Sequence, residues 1–425
     1  MALDTDRLVS LRREFHERPE PAWREFWTTA RIVDELDRIG VDDVLVGPEI
    51  LDAQARMAVP EDDELDTWLA RARETGADPD TLDRLAGGHT GAMAVIEGSE
   101  PGPTLGLRVD IDGLPREEAT GEDHVPAAEG FRSRNEGAMH ACGHDAHITF
   151  GLGVVGAFAD REFPGTLKVL FQPAEEVVGG AAAVAESGRL DDVDRFLAVH
   201  VGLGHPTGEV VAGVTDFLAV SQFRAEFAGA ASHAGGLPAR GRNAVQAMAT
   251  AVQNLYAIPR HEGGITRVNA GNVGGGTASN IIPESAYIGG EVRGGTTELM
   301  EYMRDHADRV LENAAEMHDC ELSVERTGEA PSADNDDSVV DVVEAAASDT
   351  EGIDSVVRHA PLGGSEDATY LMRRVQEQGG TAAFVCVGTD HPGGHHTATF
   401  DVDEASLEPG IETLATALRR LADGF

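Results

Sequence analysis

Nine consecutive residues, Met139-His140-Ala141-Cys142-Gly143-His144-Asp145-Ala146-His147, hold a thiol, three imidazoles and a carboxylate. Ligands of this softness suit a divalent transition metal. A thiolate at Cys142 can bridge two ions, His144 can complete one site, and Gly143 lets the backbone between them approach closely. Asp145 and His147 are placed to orient ligands from behind. Read singly, His140 and His147 are more ordinary as packed structural histidines. Further along, Gln172-Pro173-Ala174-Glu175-Glu176 sets two adjacent carboxylates just past an apolar run. One can hold metal while the other serves as general base on water, although in so acidic a chain a solvated pair reads equally well. His200 ends the apolar stretch Leu197–Val201, and His395-His396 precedes Thr397-Ala398-Thr399-Phe400. Each is weak alone. Together they offer Cys, His, Glu, His and His, a set that fits two ions about 3.5–4 Å apart sharing a bridge.

Such donors must be brought together by distant elements. Leu8, Leu11 and Phe15 are spaced for one helical face, predicting amphipathic helices over 5–17 and 22–39. Residues 48–88 are acidic and helix-prone and look like an elaborated insertion ending at Gly87-Gly88. Apolar or β-branched runs at Met93–Ile96, Leu105–Ile111, Thr166–Phe171 and Phe196–Val201, each followed by a helical stretch, predict a largely parallel, helix-covered sheet. Another strand is expected at Ala382–Val387. Ligands in such sheets gather at the carboxyl ends of the strands, which is where Asp110, Asp112, Glu175, Glu176 and His200 fall. Between 215 and 326 the texture changes. A strand over Phe217–Phe227, a helix from Asn243, Gly-rich turns, a strand around Ala286–Val292 and a helix from Thr297 to His318 predict a small α+β domain. The expected class is therefore α/β, with a mostly parallel, helix-covered catalytic domain over 1–214 plus 327–425 and an inserted lid or dimerisation domain over 215–326.

Composition narrows the function classes. At 425 residues the chain is too long for one core. Three cysteines far apart do not make a disulfide framework. No apolar run approaches the ~18 residues of a membrane helix, and MALDTDRLVSLRREF lacks a secretory pattern, so a cytoplasmic protein is expected. With 33 basic and 75 acidic residues the formal charge is −42, and Lys168 is the only lysine. Charge of this size opposes compaction unless salt screens it, the Debye length falling to ~3 Å at 1 M. An acidic, lysine-poor chain thus predicts life in molar salt. Nucleic acid is excluded as a partner for want of a basic footprint.

The order CGHD, PAEE, AVH and HxxxF resembles the amidohydrolase branch of the aminoacylase/carboxypeptidase family of co-catalytic metallohydrolases, which includes hippurate, N-acyl-amino-acid and auxin-conjugate hydrolases. LRREFHERPEPAWREF, RVDIDGLP, SHAGGLPARGRNAV, NIIPE with EVRG, and GGSEDATY extend the resemblance over essentially the whole chain. The 48–88 segment and the GHHTATFDVDE ending are similar to the p-aminobenzoyl-glutamate hydrolase group within that branch. The resemblance implies hydrolysis of the amide bond of N-acyl or N-aroyl amino acids with two divalent ions, zinc or manganese. It implies Cys142 as the bridge and His144, Glu176, His200 and His396 as the other ligands. Glu175 matches the general base, and Asp110 and Asp112 match an acidic pair beside the metals, with Arg108 neutralising nearby charge. His233 matches a histidine that stabilises the oxyanion, and Asn280 and Arg293 match positions receiving the substrate carboxylate. A homodimer is implied, with a hetero-oligomer as the alternative. The rival readings are a dipeptidase or carboxypeptidase of the same family, a non-catalytic subunit, and a Cys142 thiol hydrolase. The last would leave the His and Glu set without a purpose. A phosphate loop at Gly274–Gly276 is excluded because no Lys-Ser/Thr follows it.

Overall fold

The computed structural model describes residues 4–391 and 393–424. It divides into two compact units, one of residues 1–215, 333–362 and 367–425, the other of 216–332 and 363–366.

The larger unit is built on an eight-stranded sheet in the order Asp43–Val46, Ala92–Glu97, Pro164–Gln172, Glu100–Asp110, Arg195–Val201, Thr381–Val387, Glu209–Thr215, Ser355–Pro361. The central run from Pro164–Gln172 to Thr381–Val387 is parallel, and antiparallel pairings occur only to either side of it. Interior strands buried on both faces read as continuous apolar runs rather than alternating ones, which is why Phe196–Val199 and Ala382–Val387 are uninterrupted. The Glu100–Asp110, Pro164–Gln172 and Arg195–Val201 strands all run the same way, so Asp110, Gln172 and His200 arrive at one edge.

Two connections differ from the sequence-based expectation: Arg195–Val201 leads through a short loop into another strand, Glu209–Thr215, rather than into a helix, and the second lies earlier in the chain. Ala92–Glu97 is not followed by a helix. Only Gly98 and Ser99 separate it from Glu100–Asp110, and a helical crossover needs a dozen or more residues. The chain reverses instead, and Pro164–Gln172 enters between the two strands.

Helix His144–Ala157 is buried along nearly its whole length. Buried on every side, and apolar from Phe150 onward, it lies between packed layers. Gly153 faces Ile411 of helix Leu407–Ala422, where an added Cβ would come within 2.4 Å of the Ile411 side chain. Gly143 opens this helix at φ +88°, and a Cβ there would lie 2.4 Å from Val201. The position therefore requires glycine both for its backbone angle and for its space.

Two fully buried guanidiniums tie the unit together. Arg108 donates Nε–H to Gln172 Oε1 at 2.8 Å and lies 2.9 Å from Asp110 Oδ2 and 3.2 Å from Asp367 Oδ1. Asp367 in turn accepts the N–H groups of Gly180 and Ala181. Arg12, on helix Thr5–His16, reaches Asp145 at 2.9 Å and also pairs with Asp401. His16 is held between Asp145 (2.7 Å) and Glu118 (2.9 Å).

The smaller unit carries a four-stranded antiparallel sheet in the order Glu321–Ala330, Ala219–Ala228, Ser285–Gly294, Thr266–Gly275. Phe223, Ala225 and Phe227 alternate into a core shared with Ala247 and Ala251 of helix Ala244–Tyr256 and with Met303 and Leu311 of helix Thr297–Met317. A period of two on the strand meets a period of 3.6 on the helices.

Removing Arg108 leaves two carboxylates buried without their cation, which typically costs about 3–5 kcal/mol. Arg108→Met is expected to lower unfolding free energy by that amount in a denaturant titration at fixed molar KCl, and an unchanged midpoint would contradict the assignment.

Candidate metal centre

The strand ends and the start of helix His144–Ala157 bring Cys142, His144, Glu175, Glu176, His200 and His396 together. Two groups of three, Cys142–His144–His200 and Cys142–Glu176–His396, each have candidate ligand atoms within 4.8 Å of one another, and Cys142 belongs to both. Cys142 Sγ lies 3.4 Å from His200 Nε2, Glu176 Oε2 lies 3.4 Å from His396 Nε2, and His144 Nε2 is 3.8 Å from Glu176 Oε1. Donors sharing a tetrahedral ion at 2.0–2.3 Å lie roughly 3.3–3.7 Å apart. The spacings are compatible with a ligand shell, and the Cys142–His200 contact is also within sulfur hydrogen-bond distance.

Two of the candidate imidazoles are oriented by their other nitrogen. His144 Nδ1–H donates to the carbonyl of Asp112 at 2.8 Å and His200 Nδ1–H to that of Val201 at 2.8 Å, leaving both Nε2 lone pairs turned to the cluster. His144 Nε2 and Glu176 Oε1 are buried and have no hydrogen-bond partner among the described residues, as atoms reserved for an ion would be. His396 has φ +61° and donates its backbone N–H to Ala141 O at 2.7 Å, which ties the exposed histidine to the loop before Cys142.

His147 is occupied differently. Its Nε2 accepts the Val201 N–H at 2.8 Å, so the proton sits on Nδ1 and is donated to Asp110. Both nitrogens are spent, and His147 is a support for Asp110. Asp145 likewise serves Arg12 and His16. His140 is buried with neither nitrogen hydrogen-bonded and belongs to neither ligand group.

Asp112 holds the tight turn after Gln172. Its Oδ1 and Oδ2 accept the backbone N–H groups of Glu175 (3.2 Å) and Glu176 (3.0 Å). Ala174, at φ +58°, donates its N–H at 2.9 Å to Glu25, whose second oxygen accepts the Thr90 hydroxyl at 2.7 Å. A non-glycine residue in this region costs of order 1–3 kcal/mol and persists where its surroundings fix it. The two carboxylates from below thus aim Glu175 and Glu176 in different directions. Glu25, Asp367 and the strain at Ala174 escaped sequence reasoning. One acid among 75 carries no signal, and a positive φ at alanine has no sequence signature.

Electrostatics favours a cation. Burial works against a charged His144, yet Asp110, a hydrogen bond to Asp112, and Glu176 raise it to about 10. Burial pushes Glu176 up to about 8, against the pull of His144 and with the push of Asp112 and Asp110. Burial, together with His147 and His395, holds His200 well below the usual imidazole range, so its lone pair stays available. Asp110, although buried, is kept well below the carboxylate range by His144, His147 and Arg108. The mixed S, N and O donor set with surplus carboxylate fits divalent transition-metal ions.

The remaining sequence candidates lie in the smaller unit. His233 is on the short strand Ser232–His233, paired with Ile281–Ile282. Its Nδ1 accepts the N–H groups of Gly235 (3.1 Å) and Gly236 (3.0 Å), so the neutral ring carries its proton on Nε2. Asn280 is exposed, and its carbonyl accepts the Ala234 N–H at 2.9 Å. Arg293 grips Glu291 through Nε and Nη2 (2.9 and 3.0 Å) and reaches Ser365 Oγ through Nη1 at 3.2 Å.

Residues 106–420 match the family model for Peptidase family M20/M25/M40. An indole-3-acetyl-aspartic acid hydrolase of Enterobacter agglomerans is 41% identical over 97% of this chain and 95% of its own length. A p-aminobenzoyl-glutamate hydrolase subunit of Escherichia coli is 39% identical over 97% of this chain and 95% of its own length. Among solved structures, an aminobenzoyl-glutamate utilization protein from Klebsiella pneumoniae superposes with a TM-score of 0.83 at 35% identity, covering 97% of this chain and 95% of that one. A dinuclear metal binding peptidase of Bacillus subtilis gives 0.68 at 25% identity, covering 99% of each. Together with the clustered donors, these matches show that the chain belongs to Peptidase family M20/M25/M40, metallohydrolases that cleave amide bonds.

Proposed function

We propose that this hydrolase cleaves N-acyl or N-aroyl amino acids, with conjugates of the p-aminobenzoyl-glutamate type as first candidates. The observation that carries the reading is the donor cluster, in which Cys142 is common to two ligand groups and Glu175 stands at the rim, its Oε2 3.9 Å from His144 Nε2. Cys142 would bridge two ions, zinc or manganese, completed by His144, Glu176, His200 and His396. When bound, such a pair polarises the scissile carbonyl and acidifies the attacking water.

The chain's own residues do the rest. Glu175 takes the water proton on its carboxylate and returns it to the leaving amine nitrogen as the C–N bond breaks. His147 and Arg108 keep Asp110 anionic behind His144. The Nε2–H of His233 is the donor for the developing oxyanion, an interaction worth ~3–4 kcal/mol when well aimed. Arg293 and Asn280 receive the substrate carboxylate, and Arg293 then exchanges part of its fork from Glu291 to the ligand. The small domain is the lid and dimerisation element of a homodimer. A hetero-oligomer is the second reading, supported by the Escherichia coli relative, which is named as one subunit of its hydrolase. No helix among the described residues is long and apolar enough to cross a membrane. The charge of −42 with a single lysine supports a cytoplasm at molar salt.

A panel of N-acyl and N-aroyl amino acids assayed in molar KCl with zinc or manganese added is expected to give amide hydrolysis. No turnover of any member in the presence of either metal would defeat the substrate class. Glu175→Gln, which keeps shape but cannot take a proton, should lower kcat by about 10²–10⁴ with little change in KM, and full activity would remove it as base. Exhaustive EDTA treatment should abolish turnover and added metal restore it, whereas activity that survives the chelator would favour a thiol mechanism at Cys142.

A further inference from the structure

The acidic 48–88 segment contributes no donor to the metal centre. Its helix, Asp62–Glu74, instead forms one wall of a cavity of about 270 Å³ in the larger unit, lined by Arg18, Glu20, Trp27, Trp68, Arg71 and Arg134 among others. None of these residues belongs to the donor cluster. Three guanidiniums converge here in a chain with 33 basic residues against 75 acidic ones.

The aromatic surfaces are paired with the cations. The Arg18 guanidinium lies 4.8 Å from the centre of the Trp27 ring, and that of Arg71 lies 4.7 Å from the centre of the Trp68 ring. Stacking of this kind fixes a flexible side chain and leaves the N–H edges of the guanidinium free to donate sideways. Arg71 is in no ion pair among the described residues. Arg134 pairs with Glu17 at 2.7 Å, while the same carboxylate is 3.9 Å from Arg18. The buried carboxylate of Glu20 is spent elsewhere, since its two oxygens accept the backbone N–H groups of Trp27 (3.0 Å) and Thr28 (2.8 Å) at the start of helix Phe26–Ile39. Positive charge therefore outweighs negative at this cavity, the reverse of the chain as a whole. A macrodipole explains an arginine in the last turn of Asp62–Glu74, but not a half-buried tryptophan one turn before it that lines the same cavity as a second tryptophan.

We propose that this cavity binds a planar aromatic carboxylate, its ring against the indoles of Trp27 and Trp68 and its carboxylate on the N–H edges of Arg18 and Arg71. A flat ring suits the apolar indole faces, and a planar carboxylate suits a fork held edge-on. A phosphate has the charge but no ring. The same chemistry is offered by a free aromatic acid and by an intact N-aroyl amino acid.

Two of the three tryptophans line the cavity, and the third, Trp23, is fully buried and donates its indole N–H to Met57 O. Intrinsic fluorescence of the metal-loaded enzyme therefore reads the site directly. Benzoate titrated at constant ionic strength is expected to quench emission saturably, with benzamide and cyclohexanecarboxylate binding at least several-fold more weakly. Arg71→Ala should raise the half-saturating concentration by roughly tenfold, the equivalent of one well-formed charged contact. Trp68→Phe should remove much of the quenched amplitude. Both variants should retain the amide turnover of the parent, so a failure here is distinct from a failure of the hydrolase reading. Hippurate titrated into Glu175→Gln separates the sources, since tighter binding than benzoate marks the intact conjugate and weaker binding the free acid. Quenching that never saturates, that benzamide reproduces, or that Arg71→Ala leaves unchanged would overturn the proposal.

Discussion

The larger unit depends on one electrostatic constraint, the gathering of carboxylates at strand ends closed to water. Asp110 and Asp112 are essentially inaccessible, and Glu175 and Glu176 are nearly so. Burying even one ionised carboxylate without compensation costs several kcal/mol. The chain supplies Arg108 to Asp110, a ring proton from His147 to the same group, and backbone N–H groups to Asp112. These do not suffice. The remaining imbalance is visible in His144, drawn up to about 10, and Glu176, pushed up to about 8. A divalent ion held by the two groups of donors proposed above would remove it, and its affinity would then be coupled to the stability of this edge.

The same constraint explains why the ligand loops are so heavily held. Ala174 and His396 occupy backbone angles that alanine and histidine rarely adopt, and each has its N–H anchored, one on Glu25 and the other on Ala141 O. Gly143 sits where any side chain would strike Val201. Strain is tolerated because the anchoring groups come from elements already fixed by the sheet. Two neighbouring glutamates can then face different tasks, Glu176 within the ligand group with Cys142 and His396, and Glu175 at the rim.

Much of this was legible in the sequence. The apolar runs announced the central strands because those strands are buried on both faces, and Cys142-Gly143-His144 announced the donors because thiol and imidazole rarely lie so close. The α/β class followed from those runs alternating with helical stretches, and the family and the amide-hydrolase chemistry from the order of motifs. What stayed hidden was whatever depends on long-range pairing. The reversal after Glu97 is encoded only in a two-residue spacing, and the strands Asp43–Val46, Glu209–Thr215 and Ser355–Pro361 carry patterns too short or too mixed to stand out. Glu25 and Asp367 are ordinary acids in an acidic chain until folding buries them against Ala174 and Arg108. His147 read from the sequence as a supporting histidine, and the Val201 N–H on its Nε2 with Asp110 on its Nδ1 gives it that place.

The distribution of cations completes the argument. Fully buried positive side chains of large volume are Arg12 and Arg108, and each holds a carboxylate that borders a proposed ligand. Arg12 holds Asp145, next to His144, and Arg108 holds Asp110, 3.6 Å from His144 Nε2. A lysine could neutralise either acid but could not also reach Gln172 and Asp367, or Asp401, from the same side chain, because only a planar guanidinium presents several N–H donors in fixed directions. Where the surface has shed lysine in favour of acid, the interior has kept arginine for a geometric reason. In a chain with a formal charge of −42, these two buried cations both neutralise a carboxylate beside the strand-end site and aim it.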